Sequence, residues 1–135
     1  MGSKHALVVL AVAALGCGGS RLPEPAAGEA ASYREHLEPL VLRRCLSCHS
    51  AEEPKAELVL EPGRGWEALV GRSSVQVPAM RLVDPGSLAG SYLWLKLEHS
   101  ASVGGGMPRT LLGAKRLPEP ELERFRRWIE DGARP

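Results

Sequence analysis

Aromatic residues are scarce in this chain: three Trp, two Tyr and one Phe among 135 residues. A single domain of this length with so few large rings is short of bulky core material, so a body other than side chains is expected to fill part of its interior. An excess of charge is also lacking. Lysine and arginine total 17 against 16 acidic residues, and one of those bases, Lys4, falls in a segment expected to be removed. A balanced surface argues against nucleic acid as the main partner. No apolar run is long enough to cross a bilayer, since the longest, residues 6–15, falls well short of the roughly 20 residues a spanning helix requires. Cysteine is limited to Cys17, Cys45 and Cys48.

What the chain does have is Cys45-Leu46-Ser47-Cys48-His49. This is C-x-x-C-H, the attachment pattern for c-type haem. Two thiols at this spacing can each form a thioether to one haem vinyl group, and the histidine that follows is then carried under the iron as its proximal ligand. A redox disulfide or half of a zinc site uses the same cysteine spacing. A dithiol needs no histidine there, however, and zinc needs further ligands, while no second C-x-x-C occurs. One covalent haem c is therefore the expected cofactor. It would supply the missing apolar bulk, and the haem-free polypeptide is expected to fold poorly.

The N-terminus reads as an address. Lys4 precedes the apolar run, which has the length and flanks of a signal-peptide core. The run leads into Ala14-Leu15-Gly16-Cys17, which resembles the lipobox of bacterial lipoproteins. That resemblance implies a signal peptide over residues 1–16 and lipid on Cys17, which would anchor the chain to a membrane. Ordinary signal cleavage nearby is the alternative, and it would leave Cys17 as a free thiol in an oxidising compartment. Residues 17–31, rich in Gly, Ala and Pro after the cysteine, read as a flexible to semi-rigid tether. Haem is attached to such motifs outside the cytoplasm, so export and motif require each other.

Residues 32–135 form the expected haem domain. Ser32 and Glu35 have the spacing of a capping box, so a helix is expected from there through Arg44, with Pro39 kinking it or delaying its start. His36 on this helix reads as surface. Trp66, Arg64 and Arg72 could hydrogen-bond the haem propionates, although core tryptophan and solvated arginine are the commoner roles. A helix should run from Ser91 to about Leu97, with His99 at its end as an outside candidate for the iron. Gly104-Gly105-Gly106-Met107-Pro108 is the second chemical feature. Glycines free the backbone to approach a haem face, and a thioether from Met107 would complete the iron as distal ligand and raise its potential. Met80, in a more apolar context, is the rival. Residues 118–131 are the clearest helix, with Leu122, Phe125, Trp128 and Ile129 on one stripe, Gly132 as the stop, and Arg124, Arg126 and Arg127 on a solvated face.

From Tyr33 to Ala133 these features, in order, resemble a class I-type cytochrome c domain. The planctomycete-type domains of exported bacterial proteins are the most similar kind. The resemblance rests on Leu40-Val41-Leu42-Arg43-Arg44 before the haem motif, Leu58-Val59-Leu60, and Val83-Asp84-Pro85-Gly86-Ser87 through Tyr92-Leu93. Gly106-Met107-Pro108 and the closing Trp128-Ile129-Glu130-Asp131-Gly132-Ala133 complete it. Arg109 departs from it, since the family often has a second proline there. The resemblance implies an all-α fold, a small helical domain wrapped around one covalent haem, with first and last helices packed together. It also implies that Cys45 and Cys48 bind haem, His49 is the proximal ligand and Met107 the distal one. The expected function is one-electron transfer between redox partner proteins by a membrane-anchored, exported cytochrome facing the periplasm, and not catalysis. A haem enzyme or gas sensor with a labile sixth ligand is one alternative, and a non-haem lipoprotein binding module is another.

Overall fold

The computed structural model describes residues 22–135. The expected signal segment and the expected lipidation site, Cys17, lie outside the described residues. The first helical turn, Tyr33–Leu37, is a π-turn that continues directly into α1, Glu38–Arg44. Pro39 explains the join. It has no N–H to donate to the preceding turn, so it is accommodated in the first turn of α1 rather than in its middle. The expected capping box is not made. Ser32 gives no side-chain cap; its N–H instead donates to His36 Nδ1 at 3.1 Å. His36 is thus buried rather than on the surface.

Three more α-helices follow: α2, Gly65–Leu69; α3, Tyr92–Leu97; and α4, Glu119–Glu130. The expectation of an all-α domain, a small helical domain wrapped around haem, is corrected by what lies between them. Arg109–Thr110 (β1) and Gly113–Ala114 (β2) form a two-stranded antiparallel hairpin. Isolated bridges join Val70 to Val83, Ser73 to Arg81 and Arg81 to Ser91. Among the described residues, three of the four α-helices have seven residues or fewer, below the length at which a helix stands alone in water. The cause is in the sequence. Gly71, Pro78, Pro85, Gly86 and Gly90 interrupt the segment before α3, and Gly104 to Gly106, Pro108 and Gly113 the one after it.

The core lies where the two ends of the domain meet. On α4, Leu122, Phe125, Trp128 and Ile129 are buried, as their spacing predicts. They face Tyr33, Leu37, Leu40 and Val41 within one hydrophobic cluster. Each such side chain contributes about 1.5–3 kcal/mol by leaving water. The Tyr33 and Trp128 rings pack with centroids 5.5 Å apart. Polar clamps fix the register: Trp128 Nε1 donates to the Arg134 carbonyl, and so does the Tyr33 N–H. Arg43 and Arg44 both reach Glu121 at 2.8 Å.

Arg124 departs from its expected solvated face. It donates to the carbonyls of Pro23 and His36 and pairs with Glu24. The described part of the expected tether is therefore pinned to α4, and Ala31 is buried. Among the described residues, no helix is long and apolar enough to cross a membrane.

Candidate haem-binding site

The C-x-x-C-H motif forms the turn that ends α1. Cys45 caps the helix, its N–H bonding to the Val41 carbonyl at 2.8 Å. The N–H groups of Cys48 and His49 then both return to the Cys45 carbonyl, at 3.1 and 3.0 Å. Beyond the turn, the Leu60 N–H bonds to the His49 carbonyl at 2.7 Å. The motif is thus held from both sides by backbone hydrogen bonds. Both thiols are free; Cys45 is half-buried against the core and Cys48 is exposed. Burial, with the neighbouring Cys48 thiol adding to it, pushes the Cys45 thiol up to about 12. It is a neutral S–H at physiological pH.

His49 is buried, and its Nδ1 lies 3.2 Å from the Leu58 carbonyl. A carbonyl can only accept, so Nδ1 carries the proton and Nε2 keeps its lone pair free. Burial also holds the imidazole below its usual pKa, in the neutral form that binds metal. A carbonyl that fixes the ring through its second nitrogen is the usual support of a metal-ligating histidine. That carbonyl is set by an unusual backbone: Ala56 and Glu57, just before Leu58, have φ of +53° and +57°. Two consecutive non-glycine residues in the left-handed region are costly, and here they form part of a cavity wall.

The cavity has a volume of about 630 Å³, within the range of small-molecule and cofactor sites. His49 lines it, and so does Met107. Leu58, Val59, Leu69 and Leu93 supply apolar wall, while Arg64 and Arg72 stand among its polar lining. Met107 is gripped by its own backbone, its N–H bonding to the Lys96 carbonyl at 2.9 Å. Its carbonyl accepts from His99 Nε2 at 3.0 Å. The glycines before it have a stated use: a Cβ on Gly106 would collide with the His99 ring.

The structure thus brings together His49 and Met107, whereas Met80 does not line the cavity. Met80 is half-buried in a turn closed by its own N–H on the Val77 carbonyl. His99 is exposed and serves as the brace of Met107 rather than as a wall residue. Trp66 is committed elsewhere, its Nε1 donating to the Ala133 carbonyl at 2.8 Å, so it is no donor to a propionate. Arg72 Nε is taken by the Glu67 carbonyl, but the rest of its guanidinium remains. Among the described residues, no three His, Cys, Asp or Glu side chains converge as they would in a zinc site. Two further wall residues come from the mostly apolar Tyr92–Leu97 segment, which sequence reasoning places against the haem or the terminal helices without assigning either a role. Lys96 and Tyr92 are both buried in this wall, and the available signal was a charge set within the apolar Leu93-Trp94-Leu95-Lys96-Leu97.

His49 and Met107 suit a haem in this cavity, whereas Cys45 and Cys48 do not line it. An oriented neutral imidazole and a thioether share one apolar-walled cavity, and two free thiols precede the imidazole in the motif turn. Cys45 and Cys48 would hold the group by thioethers, and His49 and Met107 would be its axial ligands. No family model, no curated protein and no solved structure matches the chain.

Proposed function

We propose that this chain is an exported, membrane-tethered c-type cytochrome, of the kind its sequence resembles, that passes single electrons between redox partner proteins. The observation that carries the proposal is that His49, with Nε2 free, and Met107 line the same cavity. Haem, when bound, supplies an iron that cycles between two oxidation states without needing a reacting substrate. The chain's part is to hold two axial donors still. Leu58 keeps the His49 ring in one tautomer, and His99 with the Lys96 carbonyl fixes the backbone of Met107. Leucine and valine side chains give the cavity an apolar wall. Donors held in this way reorganise little when a charge arrives or leaves, which suits transfer rather than catalysis. Cys17, lipidated after removal of residues 1–16, would hold the domain at a periplasm-facing membrane.

The test is covalent attachment. After co-expression with a c-type maturation system, the wild-type chain is expected to retain haem through denaturing electrophoresis. The Cys45→Ser/Cys48→Ser chain is expected to lose it. A wild-type chain that matures without haem would sink the proposal.

A further inference from the structure

Of the charged side chains that line the cavity, Lys96 is the one that is buried, and among the described residues it has no counter-ion. Lys96, on α3, is 2% exposed. Its ammonium carries three N–H donors, yet its hydrogen bond is a single long one to the Val103 carbonyl, at 3.3 Å. The Tyr92 ring lies 5.1 Å away as a cation–π neighbour. Among the described residues, no carboxylate pairs with it: of the two acidic wall residues, Glu67 is engaged by Arg34 and Glu57 forms no ion pair with Lys96.

The surroundings of this ammonium are built closely. Tyr92 Oη donates to the Val103 carbonyl at 2.7 Å and lies 3.2 Å from Gln76 Oε1. The loop that carries Met107 passes directly over the group. A Cβ on Gly104 (φ +70°) would strike Lys96 Nζ and the Gln76 amide. On the side of the loop, therefore, the ammonium is closed off. The side that remains is the cavity, which Lys96, Gln76 and Tyr92 all line. A buried cation with spare donors, a primary amide beside it and Arg72 elsewhere in the same lining form a receptor for an anionic oxygen group.

We infer that Lys96 receives a carboxylate of the group held in the cavity, with Gln76 beside it. This rests on the haem proposal, under which the carboxylate is a propionate. Lys96 is then a positioning residue with an electrostatic consequence. Without its ammonium, an uncompensated negative charge is left near the iron, which favours the oxidised state.

The test uses the full chain matured with haem, as wild type, Lys96→Gln and Lys96→Arg. Each is read for covalent haem content, reduction potential and the propionate bending band in resonance Raman spectra. Lys96→Gln is expected to keep its haem, lower the potential and move the propionate band. Lys96→Arg, which keeps the charge in a forked shape, is expected to move the band while restoring most of the potential. An unchanged potential and band in a haem-loaded Lys96→Gln overturns the assignment and leaves the haem proposal standing. If Lys96→Gln does not accumulate, Lys96→Arg decides: a moved band supports the assignment and an unmoved one overturns it. A wild-type chain without haem overturns both.

Discussion

Tyr33 shows how a single atom can work against the fold that buries it. Its ring packs on Trp128 in the middle of the core, yet its hydroxyl is buried without a hydrogen-bond partner. Leaving such a group unpaired costs about 1–3 kcal/mol. Tyr33→Phe is therefore expected to be at least as stable as wild type at neutral pH, by denaturant titration. Burial, with Glu38 adding to it, raises the Tyr33 pKa in the folded state. The contribution of a raised group is complete below its unfolded pKa, about 10 for tyrosine, and is lost as pH rises further. Wild type should thus lose stability above pH ~10 faster than Tyr33→Phe; parallel losses would show that Tyr33 is not the cause. Gly65 lies against the same atom, so a Cβ there would collide with the hydroxyl. Gly65→Ala is expected to cost about 1–3 kcal/mol by overpacking. Much of that cost should return in the Tyr33→Phe/Gly65→Ala double variant, since the two groups share one space. The C-x-x-C-H motif was legible as a pattern, whereas the unpaired hydroxyl of Tyr33 and its contact with Gly65 were not. His36 and Lys96 owe their burial to chain segments distant in sequence, and no local pattern announces that.

Among the elements, legibility followed how far each depends on distant partners. α4 was readable because its own residues carry a 3.6-residue period and an acidic first turn. The segments on either side of α3 were not, because isolated bridges such as Val70 to Val83 and Ser73 to Arg81 have no periodic signature of their own. The frequent Gly and Pro in those segments were the available warning against an all-α domain. Stability should follow the same division. Phe125→Ala on α4 is expected to cost about 3–5 kcal/mol, measured by denaturant unfolding. At the tip of the β1–β2 hairpin, Leu111 and Leu112 are fully exposed. Leu111→Ser/Leu112→Ser is accordingly expected to stay within about 0.5 kcal/mol of wild type. A large loss there would mean that the pair is covered in solution.

For the whole molecule, the relation between core and cavity matters most. The aromatic core joins the π-turn, α1 and α4, whereas the cavity is lined from the motif turn, the segment around α2, α3 and the Met107 loop. The second half has short helices and an open interior, and it is the part expected to depend on a cofactor. The Cys45→Ser/Cys48→Ser chain, matured without haem, should melt at lower temperature and with a broader transition than wild type. A native-like cooperative melt would contradict that expectation. The scarcity of aromatics pointed to such a missing body, but composition alone cannot say which walls would surround it. The Gly-rich context of Met107 favoured it over Met80 in the sequence, and the fold puts Met107, not Met80, in those walls. The most direct measurement is the pair of oxidised and reduced absorption spectra of the matured wild type, repeated on Met107→Ala. His49/Met107 ligation predicts a low-spin haem whose methionine-to-iron band disappears in the variant. A high-spin wild type, or a band that survives Met107→Ala, would contradict it.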